Sequence, residues 1–125
     1  MKAMGWGVLF QDWITLHTAA AGSVVQTEPD WVAVGDFTDV SMHASVRGLT
    51  GGPRAVHLES APSFDADLFA SIGNVRLTAS SERTLNVKYA LSTAVPAAWL
   101  RWRLEFDFAG DITLRLWLTL TRTAR

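Results

Sequence analysis

The stretch Trp99–Thr121 reads WLRWRLEFDFAGDITLRLWLTLT. Taken at a period of two, Leu100, Trp102, Leu104, Phe106 and Phe108 fall on one side, and Arg101, Arg103, Glu105 and Asp107 on the other. After Ala109-Gly110-Asp111 the alternation resumes, with Ile112, Leu114, Leu116, Leu118 and Leu120 set against Thr113, Arg115, Trp117, Thr119 and Thr121. Successive side chains of a strand point to opposite faces, whereas a helix would spread these residues around its circumference. The stretch therefore encodes two half-buried strands. Gly110-Asp111 offers a turn within a three-residue loop, so the expected arrangement is an antiparallel hairpin. In that register Phe108 faces Ile112 and Leu104 faces Leu116. Glu105 then lies opposite Arg115 as an ion pair, and Arg103 opposite Trp117 as a cation–π pair. A slip of one residue would expose ten large apolar side chains. Each is worth roughly 1.5–3 kcal/mol when fully buried, so register is strongly specified. One hairpin cannot cover its own apolar face, and the rest of the chain must supply the covering sheet.

Working outward, Val40, Met42, Ala44 and Val46 alternate with Ser41, His43, Ser45 and Arg47. A glycine-rich turn at 48–53 and a returning strand, Arg54 to Ser60, make this a second expected hairpin. Residues 61–73, APSFDADLFASIG, break the period, and Ser63 or Asp65 is placed to cap one helical turn in a crossover loop. Residues 74–79 and 84–92 read as two further strands, and Pro96 marks a break before the final pair. Toward the N-terminus, short apolar pieces at 5–10 and 13–16 are followed by strand candidates at 24–27 and 31–34. Seven to nine short strands with no strong helix predict one all-β domain over residues 1–125. The expected form is an antiparallel β-sandwich of jelly-roll or galactose-binding-like order, with residues 1–10 as an N-terminal arm.

Composition fits a single packed domain. Of 125 residues, 49% are hydrophobic and 18% charged, which argues against disorder. There is no cysteine, so neither disulfides nor a thiolate metal site can hold the fold. No apolar run approaches the length of a membrane span. Lys2 is basic, but the apolar run after it is short and Asp12 interrupts it, so no signal peptide is expected. The net charge of −1 is unevenly spread. Residues 1–70 carry eight acids against three bases, and residues 71–125 carry eight bases against four acids. Either strands from both halves interleave and average this out, or an acidic flank and a basic flank favour head-to-tail contacts between copies.

No constellation selects a reaction. His43, His57 and Glu59 read as outward residues on neighbouring strands, but their spacing matches no metal-site signature, and they read as surface residues. Asp65 and Asp67 lack the glycine-punctuated frame of a calcium loop. No nucleophile elbow or phosphate-binding glycine loop is present, so no catalytic residue, cofactor or metal is assigned. The basic residues are too few and too mixed with acids for nucleic-acid binding. Six tryptophans are many for this length. Trp117 points with the polar set beside Arg103 and Arg115. That combination suits a protein interface, a stacked sugar, or cover by a neighbouring loop. Trp6 and Phe10, on the expected arm, are further interface candidates, buried only against a neighbouring copy.

Two resemblances follow from particular residues. The run Trp99-Leu100-Arg101-Trp102-Arg103-Leu104, late in an eight-stranded sandwich, resembles the closing strands of discoidin-like (galactose-binding-like) domains. That resemblance implies a carbohydrate-binding module as an alternative function, with no binding motif carried over. The segment Leu58-Glu59-Ser60-Ala61-Pro62-Ser63-Phe64-Asp65-Ala66-Asp67-Leu68-Phe69, followed by Pro96-Ala97-Ala98-Trp99-Leu100-Arg101-Trp102-Arg103, resembles small proteins encoded among tailed-bacteriophage structural genes. It implies a non-enzymatic virion component, a capsid decoration or tail protein made in the host cytoplasm. Its partners would be sister copies, as a homo-oligomer, and other virion proteins, with a glycan as the alternative ligand.

Overall fold

The computed structural model describes residues 3–34, 39–78, 82–87 and 99–123. Nine strands are formed among the described residues: β1 (Ala3–Thr18), β2 (Gly22–Val25), β3 (Val32–Ala33), β4 (Asp39–Leu49), β5 (Arg54–Ala61), β6 (Ala70–Leu77), β7 (Glu82–Val87), β8 (Trp99–Phe106) and β9 (Gly110–Thr123). They build two antiparallel sheets packed as a sandwich. The first has the order β1-β9-β4-β7, and the second β2-β8-β5-β6, with β3 also paired to β8. With β3 set aside, the partners nest: β1 with β9, β2 with β8, β4 with β7, and β5 with β6. This is one long antiparallel hairpin rolled up on itself, a jelly roll.

The final hairpin does not form. β8 and β9 are the inner strands of opposite sheets, and the chain arches across the core at residues 107–109. The alternation is fully used: Leu100, Trp102 and Leu104 from one sheet and Ile112, Leu114, Leu116, Leu118 and Leu120 from the other are at most 2% exposed. Phe108, which would have faced Ile112, is 61% exposed at the arch. Glu105 pairs with His57 and Arg103 with Glu59, so neither expected contact across a hairpin exists. The physical reason is that alternation reports a buried face, not the strand lying alongside. Crossing to the facing sheet buries that face as well as turning back within one sheet.

The expected β4–β5 hairpin is corrected in the same way, since β4 lies in the first sheet and β5 in the second. The two arches hold each other. Thr50 N donates to Asp111 O (2.8 Å), and Asp111 N donates to Thr50 Oγ1 (2.9 Å). Buried Arg54 donates to the carbonyls of Thr50 (3.1 Å) and Gly52 (2.7 Å). Gly51 has φ +84°, and a Cβ there would run into the Ala109 carbonyl.

The helical turn is a single 3-10 turn, Ala66–Leu68, where Asp65 accepts from Asp67 N (3.0 Å). Its loop joins adjacent strands of one sheet, so it is not a crossover. Residues 3–10, expected as a free arm, are the first half of β1 and pair with β9. The strand expected to run to Ser92 is described as far as Val87, and Tyr89, Leu91 and Pro96 lie outside the described residues.

Candidate interaction surfaces

The outer face of the first sheet is built around two tryptophans. Between the pairs Gln11↔Leu116 and Ile14↔Leu114, β1 carries Asp12 and Trp13 where β9 carries only Arg115. Such a bulge re-aims a side chain. Here it sets the Trp13 ring under two guanidinium groups, Arg47 at 3.9 Å and Arg115 at 4.9 Å from its centroid. Arg47 comes from a second bulge, between Val46 and Gly48 on β4. Among the described residues neither arginine forms a salt bridge, and Arg115 Nε is buried without a hydrogen-bond partner. Two residues along β9, Trp117 sits between Leu9 of β1 and His43 of β4. Trp117 is 39% and Leu9 43% exposed.

Beyond them, His43 Nε2 lies 3.0 Å from Glu82, and its Nδ1 lies 2.9 Å from Thr84 Oγ1. Ser45 also donates to Glu82. The hydrogen bonds from His43 and then Ser45 hold the Glu82 carboxyl below its ordinary value of 4.5.

The outer face of the second sheet is different, because it is roofed. Glu59 points outward yet is 5% exposed, and it accepts from Arg101 Nε and Arg103 Nε at 2.9 Å each. The roof is aromatic: Trp31 meets Phe64 (4.8 Å) and Phe69 (4.7 Å), and Phe64 meets Trp99 (4.8 Å). The Arg101 guanidinium lies 4.2 Å from the Phe69 centroid. Next to this cluster, His57 Nε2 lies 3.0 Å from Glu105, which lowers the Glu105 carboxyl below 4.5.

Trp31, which follows the 3-10 turn Glu28–Asp30, meets Phe64, which precedes the 3-10 turn Ala66–Leu68. The tip, residues 64–68, exposes Phe64 (48%) and Leu68 (47%) and contains Asp65 and Asp67, while the turn before Trp31 holds Glu28 and Asp30. Among the described residues none of these four carboxylates forms a salt bridge.

The structure thus sorts the candidate interface residues. Arg115 and Trp117 share the outer face of the first sheet. Arg103 lies on the opposite side of the molecule, held by Glu59 and Ser23. Phe10 is 3% exposed within the core of the single chain, where Gln26 Nε2 donates to its carbonyl (2.7 Å). It is therefore not a side chain awaiting a neighbour. Trp6 pairs with Leu120 in the register, and its side chain lies outside the described ones.

His43 and His57, expected on neighbouring strands, lie on different sheets. Among the described residues no three His, Asp or Glu side chains converge as a metal set, and no helix is long and apolar enough to cross a membrane. Sequence reasoning missed Trp13, Arg47 and the Phe64–Leu68 tip. Trp13 has the right parity to face outward with Leu9, but it sits in one bulge and Arg47 comes from another, and neither bulge leaves a mark in the alternation.

No protein-family model matches this chain, and no curated protein matches it in sequence. Solved structures are similar to it in fold. A chain from Bacillus endospore appendages, described as disulfide-linked pili, is similar over 97% of this chain and 89% of its own, with a TM-score of 0.50 and 13% identity. Particles derived from infectious bursal virus contain a chain similar over 97% of this one, with a TM-score of 0.65 and 11% identity. The infectious bursal disease virus VP2 subviral particle gives a TM-score of 0.58 at 9% identity, over 97% of this chain. This chain spans about a third of the length of those viral chains, 32% and 33%. At such identities the likeness is one of fold. Having no cysteine, this chain cannot make a disulfide link.

Proposed function

We propose that this jelly roll is a non-enzymatic structural subunit of a phage-like particle, a capsid decoration or tail component working through contacts with sister copies and other particle proteins. The observation that carries the reading is the outer face of the first sheet. It holds Trp117 and Leu9 exposed beside Arg47 and Arg115, two cations that make no salt bridge among the described residues. Tryptophan and arginine are the residues most enriched where proteins bind one another. Similar folds in a viral particle and in a pilus support the same reading, since both proteins repeat in assemblies.

Light scattering across protein concentration and salt tests it. The expected result is a mass that grows with concentration and falls back as salt screens the charges. A strict monomer under every condition overturns the self-assembling form of the proposal.

A second reading, a glycan-binding module, draws on the same tryptophan, because Ser41 and Thr119 place hydroxyls next to Trp117 on that face. Saturable quenching of tryptophan fluorescence by an oligosaccharide, abolished in Trp117→Ala, would favour it over assembly.

A further inference from the structure

We propose that the outer face of the first sheet, at Trp13, Arg47, Arg115 and Trp117, receives the Phe64–Leu68 tip of a second copy of this chain. The inference rests on the assembly reading above and adds which two surfaces meet.

The two surfaces are complementary in kind. The tip carries two exposed apolar side chains, Phe64 and Leu68, with Asp65 and Asp67 in the same segment and Glu28 and Asp30 in the turn before Trp31, which packs on Phe64. The segments that form it, residues 26–31 and 62–69, contain no lysine or arginine. The face carries two exposed apolar side chains, Trp117 and Leu9, with two arginines beside them. Among the described residues none of these six charges makes a salt bridge within one copy, and Arg115 acts on Glu82 only through its field, which helps to lower that carboxyl. Carboxylates on the receiving face are already engaged: Glu82 by His43 and Ser45, and Asp12 by the Trp13 N–H. The arginines of the face and the carboxylates of the tip are thus of opposite sign. Apolar contact supplies the attraction, and the charges fix orientation and partner.

The surfaces also lie on opposite sides of the sandwich. The tip belongs to the roof over the second sheet, anchored where Phe64 packs on Trp99 and Phe69 on Arg101. The receiving face is the outside of the first sheet. A copy cannot satisfy its own face, and with the two surfaces on opposite sides a two-fold pair cannot make the face-to-tip contact in both directions at once. The contact is heterologous, face to back, and it propagates into a ring or a filament.

The test uses the full chain with charge reversals on each side. Arg47→Glu/Arg115→Glu reverses the face. Glu28→Lys/Asp67→Lys reverses the tip at two carboxylates that hold no hydrogen bond within the copy. Light scattering is expected to show each variant alone associating roughly tenfold or more weakly than the parent. An equimolar mixture is expected to regain association, because the acidic face of one variant meets the basic tip of the other. Thermal melts of each variant establish that it folds, and if Arg115→Glu lowers the melt, Arg47→Glu alone takes its place.

A parent that associates while the reversals leave its mass unchanged, or a mixture of folded variants that stays dissociated, overturns this contact and leaves the assembly reading standing. A parent that remains monomeric throughout overturns both.

Discussion

At the scale of single residues, the outer faces are governed by paired charges of unequal depth. Glu59 is 5% exposed and holds two arginines through separate carboxylate oxygens. Removing its charge leaves Arg101, itself 9% exposed, with no anion beneath the aromatic roof. Glu59→Gln is expected to cost about 3 kcal/mol, somewhat eased because Arg103 reaches solvent, and urea unfolding measures it. Glu82 and Glu105 are exposed partners of histidines, and each has its carboxyl lowered below 4.5 by the bond from its histidine. A carboxyl lowered on folding contributes stability above its unfolded value, and that stability is lost as pH falls through the folded value. Thermal melts should therefore drop as pH is lowered beneath 4.5, and the drop should be shallower in Glu82→Gln/Glu105→Gln. An unchanged slope would show that the two histidine pairs carry no part of it. Glu105 shows how partners hide in a sequence: its spacing named Arg115, and the fold supplies His57, 48 residues away in the chain.

At the scale of elements, the connections decide the topology. Two arches, at 50–53 and 107–109, carry the chain between sheets and lean on one another through Thr50, Asp111 and Arg54. Gly51 is the position that a side chain would spoil, having φ +84° and the Ala109 carbonyl against it. Gly51→Ala is expected to destabilise by about 1–3 kcal/mol, read as a fall in the melting temperature. The alternation of β4, β8 and β9 and the helical turn at Asp65 were legible from side-chain pattern alone. The placement of β8 and β9 in different sheets was not. A three-residue link suits a hairpin in one sheet, and only the arch contacts with Thr50 favour the crossing. β1 shows a related limit: read as two short pieces, it is one strand of 16 residues whose bulges keep Phe10, Ile14 and Leu16 on the core side.

At the scale of the whole molecule, the jelly roll leaves one sheet roofed and the other open. The roof buries Glu59 and Arg101 under Trp31, Phe64 and Phe69, while the open sheet presents Trp117. This asymmetry separates stability from association. Trp117 lies outside the core, so Trp117→Ala is expected to change unfolding by no more than about 0.5 kcal/mol while weakening concentration-dependent association. Leu116→Ala, one residue away and fully buried, is expected to cost about 2–5 kcal/mol. Paired denaturation and light-scattering measurements on the two variants read both effects, and equal destabilisation by both would contradict the asymmetry.

The sequence by itself determined which residues are inside. Period-two alternation over Val40–Val46 and Leu100–Leu120 is a property of neighbouring residues, and burying it is favourable in any sheet that accepts it. The same local physics placed the turn at Asp65, where a carboxylate caps a nearby N–H. Tertiary structure alone decided which strands are neighbours, because hydrogen bonding between strands is nearly blind to side-chain identity. It alone decided that Phe10 belongs to the core, that Arg103 and Arg115 stand on opposite sides of the molecule, and that Trp13 is clasped by two cations from different strands. Those outcomes depend on bulges, arches and sheet order, and each joins residues too far apart in the chain for any local pattern to record.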